Sequence, residues 1–368
     1  MSQKVALITG IGGQDGSYLA EFLLEKGYKV RGIIRRTSLP NTKRFEHLVK
    51  KYQNFNATSD YDIPFSVHYA DLTDAHSLRL IIEKFNPDEI YHLAAQSHVG
   101  ISFDNAESTI NINTLGPLRI LEILRQSKSR CKYYQASSSE MFGSSPPPQD
   151  ESTQTFPQSP YGVSKLAAYH LARLYRDAYG IYAANGILFN HESPRRGYNF
   201  VTRKITKELA RIIVGETNKI MLGNLDSMRD WGFAKEYVRA MWEILQQPKP
   251  EDYVISTGET HTIREFVKEA FDLVGLNYED YLVISDQYKR PAEVPALLGN
   301  SAKAKKILGW NPQVKFKELV KMMVAVDLKE KMEETGVIPF EPHIEKDNEY
   351  YIEKAKEILN KKRTDNLL

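Results

Sequence analysis

Cysteine is nearly missing from this chain: Cys131 is the only one in 368 residues. That excludes an intramolecular disulfide and any thiolate cluster for zinc or iron–sulfur ligation, so no metal centre is expected, and a reducing cytoplasm fits. Charge of one sign is lacking too, since 49 Lys and Arg face 47 Asp and Glu for a formal net charge of +2. This balance is far from the basic footprint of a nucleic-acid binder, and no nucleic-acid partner is expected. No apolar run approaches the roughly 18 residues of a membrane span. Met1 leads straight into the strand-like run Lys4 to Thr9, without the basic region, apolar segment and cleavage site of a leader. The expectation is a soluble, unprocessed, cytoplasmic protein with no membrane contact.

With 42% hydrophobic residues over this length, the chain exceeds the usual single domain of roughly 100 to 200 residues, and two packed domains are the default. The first half alternates apolar strand candidates near 4–9, 29–35, 65–70, 89–94, 132–136 and 182–189 with helical patterns. That alternation predicts an α/β fold, a Rossmann-type doubly wound parallel sheet covered on both faces. Tyr18, Leu19, Phe22 and Leu23 share one face of the first helix, and Gly27 follows as its stop. The second half is less regular: helices over 201–215, 233–247, 262–275 and 316–331 with a strand at 252–256 predict a smaller C-terminal α/β substrate domain. We therefore expect a cofactor domain over 1–190, to which segments near 225–258 are able to return, a substrate domain over 191–340, and a charged tail over 341–368. In that tail Tyr351, Ile352, Ala355 and Ile358 recur at roughly helical spacing. They predict a docked or partly solvated helix.

Between the first strand and first helix runs Gly10-Ile11-Gly12-Gly13-Gln14-Asp15-Gly16. A glycine pattern alone is a weak signal. Here Gly10, Gly13 and Gly16 sit where a tight turn must admit a pyrophosphate to the amino end of a helix starting near Gln14, with Asp15 in its first turn. The second strand ends in Arg35-Arg36, not in the acidic residue that accepts a ribose hydroxyl of NAD, which favours the extra phosphate of NADP. A solvated strand end or a subunit contact is the bland alternative, and at most one of the two arginines need bind phosphate, because neighbours in a strand face opposite sides. Asp71-Leu72 closes the third strand and Leu93-Ala94-Ala95-Gln96-Ser97 the fourth, on the edge where doubly wound sheets bind ligands. Asp71 is a candidate acceptor for the adenine amino group or a simple loop cap. Leu93, Ala95 and Ser97 would let a dinucleotide lie against backbone.

Tyr161-Gly162-Val163-Ser164-Lys165 places a tyrosine and a lysine four apart on one helix face. The spacing is common by chance, and it gains meaning beside a dinucleotide motif. A free tyrosine titrates near ~10, so half-ionisation at neutral pH needs a shift of ~3 units, which Lys165 and a cationic nicotinamide ring are placed to supply. Such a tyrosinate takes the proton of a sugar hydroxyl as hydride leaves the same carbon. The fifth strand ends in Ser137-Ser138-Ser139-Glu140, where a serine can hold the reacting hydroxyl. Glu140 is the sharper clue. An oxidation or epimerisation using tyrosine needs no second base, whereas a dehydration does: a ketone at carbon 4 of a hexose acidifies the hydrogen on carbon 5, and a carboxylate removes it as the carbon 6 hydroxyl leaves. Capping a loop or pairing with an arginine is the bland alternative for Glu140.

These motifs resemble those of the extended short-chain dehydrogenase/reductases. A narrower resemblance lies in the runs Gly186 to Gly197 and Phe200 to Ile205, in Leu222 to Asp226 with Arg229-Asp230-Trp231-Gly232, and in Arg290-Pro291-Ala292-Glu293. Over roughly 3–330 the chain is similar to the GDP-mannose 4,6-dehydratases. The resemblance implies that Ser138, Glu140, Tyr161 and Lys165 are catalytic, and that His191 and Arg196 contact NADP. It also implies that Asn190, Val201, Lys204, Arg229, Arg290 and Glu293 line a GDP-sugar site. Basic residues there make sense, because a nucleoside diphosphate is anionic and arginine grips phosphate in a bidentate way. A homotetramer, a dimer of dimers joined through the loop Arg35 to Arg44, is implied as well. The chain departs from the pattern in two places: Ser138 stands where many relatives have threonine, and Ser108 where they often have a cofactor-contacting tyrosine. The 54–62 insertion and the tail beyond 335 lie outside the match. The same dehydration of a GDP-linked heptose, a 4-dehydrogenase or 4-epimerase activity, and a non-catalytic NADP sensor are the competing readings.

Overall fold

A computed structural model describes residues 3–39, 41–52, 59–288, 290–339 and 346–364. Parts of the 54–62 insertion and of the tail beyond 335 thus lie outside the described residues. Seven parallel strands build the main sheet: β1 (Val5–Thr9), β2 (Lys29–Ile34), β3 (Phe65–Tyr69), β4 (Glu89–His92), β5 (Lys132–Ser138), β6 (Ala183–Leu188) and β7 (Asp252–Ile255). Their order is β3-β2-β1-β4-β5-β6-β7. The first six fall where the apolar alternation predicts them, and the 252–256 segment supplies the seventh, at the edge beside β6. Burial on both faces accounts for the near-continuous apolar runs of β1 and β6. Glu89 in β4 is one of several buried polar residues in the strands, held by Lys4 at 3.0 Å and by the hydroxyls of Tyr91 and Tyr28 at 2.8 and 3.2 Å.

Helices Gln14–Glu25 and Ala234–Gln246 cover one face, packing Leu19, Leu23, Tyr237 and Met241 into one core. Helices Ala75–Phe85, Gly116–Gln126 and Pro160–Tyr179 cover the other. Because strand order reverses between β1 and β4, a crevice opens at their carboxyl ends, the place where such sheets hold ligands.

A separate core joins helices Val201–Val214, Ile263–Asp272, Phe316–Glu334 and Asn348–Thr364. Two short strands, Ile220–Leu222 and Leu282–Ile284, pair in parallel beside it. The tail helix docks by burying Tyr351, Ile352, Ala355 and Leu359. Between helices Val201–Val214 and Phe316–Glu334 lies a fully buried ion pair, Arg203 to Asp327 at 2.7 Å. The Thr206 hydroxyl donates to the same carboxylate. No helix among the described residues is long and apolar enough to cross a membrane.

Candidate active site

The turn after β1 is closed by glycines that admit no side chain. Gly10 has φ +77°, and a Cβ on it would meet Ala94 at 2.9 Å; one on Gly16 would meet the Gly10 carbonyl at 2.4 Å. Gly13 then leads in extended conformation into helix Gln14–Glu25. The segment after β6 is stitched to this turn. Buried Gln14 donates to the His191 carbonyl at 3.0 Å and accepts from the Ser193 hydroxyl at 2.8 Å. Asp15 accepts from His191 Nε2 at 2.8 Å, and the other His191 nitrogen faces the Phe189 carbonyl at 2.7 Å. Both ring nitrogens of His191 are therefore engaged within the chain.

Arg44 closes the same corner. Its guanidinium donates to the carbonyls of Gly12 and Arg195 at 3.1 and 2.8 Å. Arg196 pairs with buried Glu192 at 3.1 Å and lies 3.6 Å above the Phe200 ring. Arg35 and Arg36 stand exposed just past β2, with no hydrogen bond or ion pair of their side chains among the described residues. Asp71 accepts from the backbone and hydroxyl of Thr73 at 2.8 and 2.7 Å, the capping alternative, while Leu72 is buried against Gly116.

Sequence reasoning missed the ties that hold the loop after β4. The Thr9 hydroxyl accepts from the backbone N–H groups of Leu93 and Ala94, each at 3.1 Å, and lies 2.9 Å from His92 Nδ1. Burial drags the His92 pKa down to about 3, so the ring is neutral and its Nδ1 accepts the Thr9 proton. Asn113 exchanges two bonds with the Gln96 backbone at 2.8 and 2.9 Å and donates to Ser164 at 3.1 Å. Ser164 in turn donates to the Tyr161 carbonyl at 2.7 Å. The loop bearing Leu93, half-buried Ala95 and exposed Ser97 is thereby fixed to the helix of Tyr161. Asn113 sits in a π-helical turn, Asn111–Leu115, and nothing in the local sequence pattern announces it.

Helix Pro160–Tyr179 begins where Ser159 accepts from the Gly162 N–H at 3.0 Å, with Pro160 at its first position. This start buries Tyr161, with Ser138 near enough to favour its ionised form. Ser138 Oγ also accepts from the Glu140 N–H at 3.2 Å. Burial pushes the Tyr161 pKa up to about 12, with Ser138 and Arg196 pulling against it and Glu140 adding to it. Burial likewise draws the Lys165 pKa down to about 8. The lysine ammonium donates to the Ala136 carbonyl at 2.8 Å and lies 5.9 Å from the Tyr161 ring centre. The predicted lowering of the tyrosine by Lys165 is thus not present in the chain alone, because the ammonium is turned to a carbonyl and the phenol is dry.

Glu140 is buried, and its Oε1 lies 3.7 Å from Arg290 Nη1. Buried Arg229 donates to the carbonyls of Met228 and Val294, both at 2.9 Å. Burial lowers its pKa while the charges of Glu140 and Glu293 support the cation. Glu293 accepts from Ser227 at 3.2 Å. Lys204 holds its ammonium 3.3 Å from the centre of the Tyr288 ring. Val201 opens the helix carrying Lys204, and Asn190 begins the short strand Asn190–Glu192 that pairs in parallel with Trp231–Phe233. The fold thus gathers Ser138, Glu140, Tyr161 and Lys165 at the carboxyl end of β5, with Arg229, Arg290 and Glu293 on the Glu140 side. Arg35, Arg36 and Asp71 make no contact with that group.

A doubly wound sheet of this strand order, a bare glycine turn at β1 and a buried Ser–Tyr–Lys set with an added carboxylate define an extended short-chain dehydrogenase/reductase. The fold is shared with dTDP-glucose 4,6-dehydratase of Bacillus anthracis, solved in complex with NAD, at a TM-score of 0.74 and 22% identity over 90% of this chain and 98% of that one. Within that class the chain belongs to the GDP-mannose 4,6-dehydratase family, whose profile matches residues 7–323. It is 57% identical over 330 residues to GDP-mannose 4,6 dehydratase 2 of Arabidopsis thaliana, covering 89% of this chain and 87% of the relative. To the GDP-mannose 4,6-dehydratase of Vibrio cholerae it is 47% identical over 360 residues, 90% of this chain and 95% of the relative.

Proposed function

We propose that the protein converts GDP-mannose to GDP-4-keto-6-deoxy-mannose and water, with NADP as its cofactor. The observation that carries this reading is the buried Glu140 carboxylate beside the Tyr161 and Ser138 hydroxyls, which supplies two bases where a simple oxidation needs one. The cofactor fits the site, because Gly10 and Gly16 leave backbone where a Cβ would collide, at the amino end of a helix. When bound it supplies an acceptor for the hydride of carbon 4 and later returns that hydride to carbon 6. Tyr161 takes the proton of the carbon 4 hydroxyl, which Ser138 holds in place. Glu140 takes the proton of carbon 5 and delivers it to the carbon 6 hydroxyl, which departs as water, and the proton lifted from the carbon 4 hydroxyl goes back to carbon 5 as hydride reaches carbon 6. Lys165, bonded to the Ala136 carbonyl, holds positive charge 5.9 Å from the Tyr161 ring centre and would do so beside the nicotinamide of a bound cofactor. Arg229, Arg290 and Lys204 face the diphosphate, with Asn190, Val201 and Glu293 completing the sugar-nucleotide side.

The choice of NADP over NAD rests on Arg35 and Arg36, exposed just past β2 and without a side-chain ion pair among the described residues, where the 2′-phosphate of a dinucleotide would lie. We assign cofactor binding to 1–190, joined by the β7 region, and sugar-nucleotide binding to 191–340. The homotetramer rests on the family resemblance and the basic loop 35–44, and a cytoplasmic site rests on the lone buried cysteine. The test is incubation of the protein with GDP-mannose and a trace of NADP, following nucleotide-sugar mass and absorbance at 340 nm together. Loss of one water without NADPH build-up supports the reading; loss of two hydrogens matched by NADPH would make the protein a dehydrogenase.

A further inference from the structure

Both ring nitrogens of His191 face groups that only accept. Nδ1 lies 2.7 Å from the Phe189 carbonyl and Nε2 2.8 Å from Asp15 Oδ2. A neutral imidazole has one N–H and satisfies one of them; imidazolium satisfies both. The ring also stacks on Tyr237, with centroids 4.6 Å and planes 19° apart, a face that attracts a cation. We infer that His191 is a charged positioning residue, a cation that neutralises Asp15 so that its carboxylate, in the first turn of helix Gln14–Glu25, does not repel the cofactor's diphosphate. This rests on the dinucleotide site proposed above.

An anion at a helix amino end competes with a phosphate for the same positive potential. With its second oxygen facing Gln14 Nε2 at 3.0 Å, Asp15 has no other cation in direct contact among the described residues. Burial alone would lower the His191 pKa, but the Asp15 charge, the Asp15 bond and the Phe189 carbonyl leave it raised. Burial alone would raise Asp15, yet His191 and Gln14 leave it lowered. Other groups share the corner: Arg196 opposes the imidazolium and favours the carboxylate, and Lys165, Tyr134 and Tyr161 feel Asp15. On the far side of the ring, Tyr237 feels Asp230, Glu236 and Glu192.

The test is NADPH affinity by fluorescence titration, with a thermal melt for each protein. His191→Asn leaves Asp15 uncompensated and should weaken binding about 10-fold or more, whereas the double variant Asp15→Asn/His191→Asn should return to within about 3-fold of the native value. A double variant no better than the single, or a single variant that binds normally, would overturn the inference and leave His191 a packing residue. Affinity of the native protein should also fall as pH rises through the raised His191 pKa, a slope the double variant lacks, while the Lys165 titration is common to both. Should His191→Asn not fold, Asp15→Asn alone decides: it should bind NADPH within about 3-fold of native, and a loss of 10-fold or more would contradict a purely repulsive Asp15. A native chain that binds neither NADPH nor NADH would overturn the cofactor reading and this inference with it. Native binding without rescue overturns this inference alone.

Discussion

Arg290 places its guanidinium 3.7 Å from the Glu140 carboxylate, so a residue from the 290–293 motif meets the end of β5 across 150 positions of sequence. The pair joins the proposed base to the proposed diphosphate grip. Glu140→Gln should keep NADPH affinity near the native value and lower dehydration by about 100-fold or more, the usual range for loss of a positioned base. Steady-state turnover beside a cofactor titration checks it, and normal turnover would remove Glu140 from the mechanism.

Lys165 contributes a stability signature of its own. Its pKa in the fold is about 8 against an ordinary 10.5, so between those values the unfolded chain holds the extra proton. Stability of the cofactor-free protein should therefore rise with pH across that window, and the cost of burying the ammonium is full below it. Lys165→Met should abolish turnover, flatten that slope and raise stability at pH 7 by on the order of 1 kcal/mol. Denaturant titrations at pH 7 and 9.5 provide the readout; a destabilised variant with an unchanged slope would contradict it.

Arg35 and Arg36 can be separated by cofactor choice. If either holds the 2′-phosphate, its change to alanine should weaken NADP binding about 10-fold, the worth of one charged hydrogen bond, while leaving NAD affinity unchanged. Equal loss for both dinucleotides would point to a structural role, and no loss in either variant would remove the argument for NADP.

In the C-terminal core, Arg203 and Asp327 are both buried and bonded to each other. Asp327→Ala leaves the buried guanidinium only the longer contact to Glu330 at 3.5 Å and should cost about 3–5 kcal/mol, whereas Arg203→Met with Asp327→Leu should cost much less. Equilibrium unfolding of the three proteins tests this, and equal losses would show that packing volume matters more than charge.

The sheet was largely legible because parallel strands buried on both faces carry dense apolar runs, as in β1 and β6. Gly10 and Gly16 could be read because a close backbone approach forbids a side chain. What could not be read is who meets whom. Thr9 and His92 are 83 residues apart, Asp15 and His191 are 176 apart, and periodicity reports the face a residue occupies, not its partner. The state of Tyr161 was hidden for the same reason. Its helix position follows from the sequence, but the burial that raises its pKa to about 12 depends on the whole fold. The π-helical turn holding Asn113 has no period of its own to detect.

In the proposed dehydration one hydride leaves carbon 4 and returns to carbon 6 of the sugar. GDP-mannose carrying deuterium on carbon 4, incubated with the protein and unlabelled NADP, tests it most directly when the product is read by NMR. Deuterium should appear on carbon 6 of a product lighter by one water, with cofactor unchanged. Deuterium recovered in the cofactor, or lost from a product that keeps its carbon 6 oxygen, would contradict it.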